Sequence, residues 1–322
     1  AALAAKQGEI QRAAIMVIAK KKIRPTCGAL IDLLGRLEKK DSDGLNANLA
    51  RKTLHDLTHE SFETAEDWGK YWASNSEGNS EGGGEKATKR RKRPTFYGSE
   101  ILSKRVVFVI DTSLSMDEGA MKRQGARVYA EGQGPKMEPA GPNTRIERAK
   151  KQLASVVSEL PKGSKFGIVA YSAPKPGQTK LPKGKFPPEI NKFHWLRVWK
   201  QKLAPANKKS VASALKFVHR LYADGLTYTL RGIEAAFEVP EVDTIVLLSD
   251  GAPNDIDANS HQPLKVPEIL AEVSKLNRKR RLVINTFGIL PPGQSTGNLA
   301  KFLKDLAEQN GGTFTEVKKD SK

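Results

Sequence analysis

Two different periods of apolar residues divide the chain. Up to Asn75 they recur at helical spacing, beginning with Leu3, Ile10, Ala14, Val17 and Ile18, the three-to-four-residue repeat of an amphipathic helix. The spacing predicts helices over 1–22, 25–39, 45–57 and 64–73. Lys20-Lys21-Lys22 falls in the last turn of the first, where cations suit the negative end of the helix dipole. Pro25 opens the second, whose stripe is Leu30, Leu33, Leu34 and Leu37. Asp41-Ser42-Asp43-Gly44 is a turn, Leu45, Leu49, Leu54 and Leu57 mark the third helix, and Trp68, Tyr71 and Trp72 the fourth. Trp68 and Trp72 read as core packing on the preceding helix.

Beyond Phe96 the pattern changes. Short continuous apolar runs at 105–110, 165–171, 243–249 and 282–287 predict strands buried on both faces. Amphipathic helices at 145–160, 208–222, 230–238, 266–280 and 297–310 alternate with them, and a last strand is expected at 313–317. That alternation predicts an α/β fold with a doubly wound, mainly parallel sheet. Phe96-Tyr97-Gly98 is read as an edge strand, Phe193-His194-Trp195-Leu196 through Trp199 as a short helix capping the sheet, and Thr144 with Glu147 as a capping box.

Between the two regimes, Asn75–Gly84 has the composition of a flexible linker, and Lys86–Arg93 is a basic run. The organisation expected is a helical domain over 1–75, a flexible basic linker over 76–94 and an α/β domain over 95–322. The stretch 117–144, rich in Gly, Pro and charge, reads as an insertion.

Chemistry concentrates where strands end. Val106–Ile110 runs directly into Asp111-Thr112-Ser113-Leu114-Ser115, so the polar side chains sit at the carboxyl edge of the sheet, where open α/β folds bind ligands. Asp111, Ser113 and Ser115 offer only oxygen, which hard cations such as Mg²⁺ take. Two later segments, Asp224–Leu230 and Thr244–Pro253, bring a threonine loop and a second buried strand ending in an acid. The three segments in this order resemble the von Willebrand factor A (VWA) family and its metal-ion-dependent adhesion site, over roughly 95–320. The resemblance implies a Rossmann-like fold and a metal held by Asp111, Ser113, Ser115, Thr227 and Asp250, the acids often through water. Leu226 stands where many members have a second glycine, which leaves Thr229 as the alternative ligand. The stretch Pro25–Asn75 resembles a HEAT-type repeat with its closing helix, as in bacterial proteins that join HEAT repeats to a VWA domain.

The remaining features narrow the function. The single cysteine, Cys27, excludes an internal disulfide and a cysteine zinc site and reads as a small core residue. No apolar run approaches the length of a membrane span. There is no phosphate-binding glycine-lysine loop and no H-E-x-x-H, and the acid expected two residues after an aspartyl nucleophile is Ser113. His55 and His59, one helical turn apart, lack a third ligand in pattern and read as a polar helix face. The expectation is therefore no enzyme, but a Mg²⁺- or Mn²⁺-dependent protein-interaction module that binds a partner's carboxylate. The net charge of +18 keeps open a nucleic-acid or polyanion binder that uses the basic linker and helix ends; a further alternative, a structural subunit of a larger assembly, keeps the fold but not the metal role. Because the chain begins Ala1-Ala2, an export signal upstream, and so a periplasmic or cell-surface location, is an expectation.

Overall fold

The computed structural model describes residues 1–75, 93–118, 141, 143–173, 195–257, 262–290 and 297–317. Residues 76–92 of the linker expected at 76–94, most of the insertion, Phe193, His194 and the tail after Val317 lie outside the described residues. The chain divides into two compact units. One comprises Ala1–Pro94 with Glu100–Lys104 and Lys279–Arg281; the other comprises Thr95–Ser99, Arg105–Arg278 and Leu282–Lys322.

The first unit is built from four helices: α1 (Gly8–Lys21), α2 (Cys27–Asp41), α3 (Leu45–Thr58) and α4 (Ala65–Asn75). Helix α3 packs on both α1 and α2, and α4 packs on α2. The leucine stripes meet in the interior, where Leu30, Leu33, Leu34 and Leu54 are fully buried beside Cys27. Trp68 is a core residue: it is 1% exposed, meets Phe62 edge-to-face at 5.0 Å and donates its indole N–H to the Phe62 carbonyl at 3.0 Å. His55 and His59 do not form a metal pair. The His55 ring lies against the Glu60 carbonyl and the Ser61 hydroxyl, while His59 ends α3 in a left-handed conformation.

The second unit is organised on a seven-stranded sheet. Its parallel core runs β4 (Lys165–Tyr171), β3 (Arg105–Asp111), β7 (Thr244–Ser249), β8 (Val283–Gly288) and β9 (Phe314–Glu316). The short strands β5 (Leu196–Val198) and β6 (Ala204–Pro205) pair antiparallel with β4. Helices α5 (Arg145–Glu159), α6 (Lys208–His219), α7 (Thr229–Glu238), α8 (Val266–Arg280) and α9 (Asn298–Gln309) connect the strands. One face of the sheet, carrying Val107, Val109, Val169, Tyr171, Ile245, Leu247 and Ile284, packs against α7, α8 and α9 in a single core. On the other face Phe96 meets Phe287 edge-to-face at 4.9 Å and lies beside Phe108. The continuous apolar runs are thus buried on both faces, as parallel strands require.

Three local expectations are corrected. Phe96 does not belong to an edge strand of the main sheet. Tyr97 (φ 45) and Gly98 (φ 78) both take positive φ, which makes a two-residue hairpin turn joining β1 (Thr95–Phe96) to β2 (Ser99–Glu100). The cluster ending at Trp199 is a strand, not a short helix: Arg197 is buried while Leu196 and Val198 on either side are only partly so, a period of two, and β5 extends the edge of β4. The capping box does not form. Thr144 stands at the N-cap of α5 but gives its hydroxyl to the Gly141 carbonyl, and Glu147 pairs with Lys150 at 2.7 Å.

Candidate metal centre

The strand order sets the site. From β3 the chain passes outward to β4, then returns to the other side of β3 as β7, so the carboxyl ends of β3 and β7 flank the point where the winding reverses. Ligands of open α/β sheets bind at such a point. Asp111 is the last residue of β3, and Asp250 follows Ser249, the last residue of β7.

The turn after β3 is tied to both neighbouring segments. The Thr112 N–H donates to the Tyr171 carbonyl at 2.8 Å, the Asp224 N–H to the Thr112 carbonyl at 2.8 Å, and the Leu114 N–H to the Gly225 carbonyl at 3.0 Å. Gly225 has φ +74, and a Cβ there would lie 1.9 Å from the Ala173 carbonyl oxygen, so the threonine loop requires glycine at this position. Leu226 is accommodated with its N–H on the same carbonyl at 2.8 Å.

These ties bring the predicted oxygens together. The Ser113 and Ser115 hydroxyls lie 3.0 Å apart, and the Ser115 hydroxyl donates to Asp250 Oδ1 at 2.7 Å. Asp111 Oδ1 accepts the Ser113 N–H at 2.8 Å, and its Oδ2 accepts the Ser249 hydroxyl at 2.6 Å. The Thr227 hydroxyl enters from the third segment. A Cβ built on Gly251 would stand 3.0 Å from Thr227 Oγ1 and 3.5 Å from Ser115 Oγ, so the bare glycine leaves a cradle between the two hydroxyls. Thr229 is no alternative: it opens α7, fully buried, with its hydroxyl 3.5 Å from that of Tyr171.

Electrostatics fit an oxygen site for a cation. Burial pushes the Asp111 carboxyl up to about 7, the Asp250 charge adds to the rise, and the bonds from Ser249 and Ser113 offset part of it. Burial also raises Asp250, against the hydrogen bonds from Ser115 and Arg145. A buried acid whose charge is disfavoured by a second acid is relieved by a cation beside it. Among the described residues no cluster of three or more His, Cys, Asp or Glu can hold a metal. Here two carboxylates and three hydroxyls could make a donor set, and oxygens of this kind suit Mg²⁺ or Mn²⁺.

Residues 106–252 match a family model described as von Willebrand factor type A domain. Over that stretch the chain is similar to a VWA domain. Its mainly parallel sheet with flanking helices is a VWA-like fold, and several helices precede it. A solved structure described as von Willebrand factor type A from Catenulispora acidiphila is similar, at 21% identity and a TM-score of 0.42; the match covers 66% of this chain and 38% of that one. This chain therefore spans well under two thirds of that protein's length. The search of curated proteins found no match. VWA domains mediate protein interactions and commonly bind a divalent metal at their adhesion site. No helix among the described residues is long and apolar enough to cross a membrane.

Three residues at this site escape sequence reasoning. Ser249 completes the contacts of Asp111. Arg145, at the start of α5, donates Nη1 to Asp250 Oδ2 at 2.8 Å and to the Ser115 carbonyl at 3.1 Å. Arg197 of β5, itself buried, donates Nη2 to the Thr112 hydroxyl at 2.7 Å and to the Tyr222 carbonyl at 3.0 Å, with its guanidinium 4.5 Å over the Tyr222 ring. Arg197 so joins the turn after β3 to the segment that leads into the threonine loop. The buried-serine strand end marks Ser249 in the sequence; the two arginines lie far from the motifs they serve, and no local pattern distinguishes them.

Proposed function

We propose that this chain is a divalent-cation-dependent protein-interaction module, not an enzyme. Asp111, Ser113, Ser115, Thr227 and Asp250 would hold one Mg²⁺ or Mn²⁺. The observation that carries this reading is the meeting of hydroxyls from two chain segments with carboxylates from the ends of two adjacent strands, beside the space Gly251 leaves open. A bound cation supplies an electrophilic position open to an acidic oxygen of a partner. The protein's own residues prepare that position. Ser249 and the Ser113 N–H orient Asp111, Ser115 orients Asp250, and Arg197 fixes the turn that carries the serines. The helices at 1–75 would serve as a HEAT-type arm that presents the module.

The test is a pull-down from native extract with wild type and Asp111→Ala, in Mg²⁺, in EDTA and in Mg²⁺ at raised salt. The reading expects partners retained by wild type in Mg²⁺ and lost both with EDTA and with Asp111→Ala. Retention that ignores EDTA and the mutation but collapses with salt would replace it with polyanion-type binding.

A further inference from the structure

The contact that stands out at the site is Arg145. Its side chain is largely buried, 16% exposed, and the Asp250 side chain it grips is fully buried. Nη1 bonds Asp250 Oδ2 and the Ser115 carbonyl, while Nε faces Glu118 Oε1 at 3.2 Å. The Ser115 hydroxyl takes the other oxygen of Asp250. Both oxygens of this acid are therefore engaged by the protein itself, one of them by a permanent positive charge. The backbone of Arg145 is anchored, because the next residue, Ile146, is fully buried in the α/β core. Its side chain has four torsions between that anchor and the guanidinium, and its second acidic partner, Glu118, bonds a different nitrogen from the one that holds Asp250.

We propose that Arg145 is a built-in counter-cation of the site: it neutralises Asp250 when no divalent ion is present, and it sets how tightly one binds. The proposal rests on the metal-site reading above. A guanidinium and a divalent ion compete for the same carboxylate and repel each other across a few ångströms of low-dielectric protein. Binding a cation therefore requires Arg145 to loosen its hold on Asp250, with Glu118 placed to keep it. The Arg145 charge also leaves Asp111 as the only uncompensated acid among the ligands. That weakens the grip on the ion and leaves its charge less satisfied, which favours an acidic oxygen from outside.

Three variants test this by calorimetric titration with Mg²⁺ and Mn²⁺, together with thermal melts in EDTA and in Mn²⁺. Arg145→Gln removes the charge and keeps a hydrogen-bond donor; it is expected to tighten cation binding by about tenfold or more. It should also melt lower than wild type in EDTA and recover in Mn²⁺, because Asp250 then has no other cation. Arg145→Lys keeps the charge and should stay within about threefold of wild type. Glu118→Gln alters a side chain that is 41% exposed and should leave the fold intact. It frees Arg145 for Asp250 and is expected to weaken binding, the opposite shift. If wild type binds and Arg145→Gln binds equally or more weakly, or Glu118→Gln tightens binding or leaves it unchanged, the counter-cation role is wrong and the metal site stands. If folded wild type and Arg145→Gln both fail to bind any cation, the metal reading falls and the proposal with it. Binding by Arg145→Gln where wild type shows none would be the proposal's strongest support.

Discussion

Gly251 and Asp255 show how single residues shape the loop after β7. An alanine at 251 puts a methyl group 3.0 Å from the Thr227 hydroxyl oxygen, closer than ordinary contact, and beside the Ser115 hydroxyl. Overpacking of this kind costs about 1–3 kcal/mol, and here the strain falls on ligand oxygens. Gly251→Ala is expected to lose about tenfold or more in Mg²⁺ affinity while its far-UV circular dichroism stays that of wild type. Asp255 serves a different end. Its Oδ1 accepts the N–H groups of Leu230 and Arg231 and so caps α7 from a distance, while its buried Oδ2 has no partner. Burial pushes its carboxyl up from 3.8 to about 6 despite those bonds. A folded-state value above the unfolded one means the ionised form is disfavoured in the fold, so stability from this group is gained as pH falls through about 6 and is absent above it. Relative to Asp255→Asn, wild type should gain about 1 kcal/mol between pH 7.5 and pH 5. Paired denaturant melts at the two pH values check this; a gap that does not change with pH would mean the carboxyl is not held neutral.

At the scale of elements, the parallel strands were legible because each is a short unbroken apolar run, and a run of that kind has to be covered on both sides. The runs alone did not say which strands are neighbours: that Asp111 and Asp250 share a site came from the resemblance of the three segments, and the β3–β7 pairing from the structure. The short edge pieces were less legible. In Trp195–Trp199 large apolar residues mask a period of two, and the decisive residue, Arg197, is a buried cation that no hydropathy pattern predicts. Its partners, the Thr112 hydroxyl and the Tyr222 carbonyl, become neighbours only when β5 pairs with β4. Arg145 was hidden in the same way: the insertion separates it from Ser115 in sequence, and the start of α5 returns it to the site. A methionine at 197 would keep the apolar stem and remove a charge whose burial is costly, as the lowered value for this guanidinium reflects. Arg197→Met is therefore expected to change stability by no more than about 1 kcal/mol. It should nonetheless weaken cation binding severalfold, because the serine turn loses its tie to the threonine loop. A thermal melt and a Mn²⁺ titration on the same sample separate the two effects. Unchanged affinity would make Arg197 a packing residue only.

For the whole molecule the question is which charges bind. The net charge of +18 and the run Lys86–Arg93 point toward acidic partners. The last residue of that run is already committed: Arg93 donates to Asn48 at 3.0 Å and lies near Glu63 and Glu100 within the helical unit. On the adhesion-site account, changing the basic residues from Lys86 to Lys92 to serine leaves partner affinity within about twofold, and binding keeps its modest response to salt. Affinity measured at two salt concentrations checks this; a large, salt-dependent loss would move the binding surface to the basic run.

The central claim is that five side chains from three segments make one cation site. Calorimetric titration of the intact chain with Mg²⁺ and Mn²⁺, beside Asp111→Ala and with and without acetate as a small carboxylate, tests it most directly. The account predicts one site of millimolar or tighter affinity in wild type, tightened by acetate and absent in a mutant whose melt remains cooperative. No cation binding in either condition by wild type or by Arg145→Gln, or equal binding by wild type and Asp111→Ala, would contradict it.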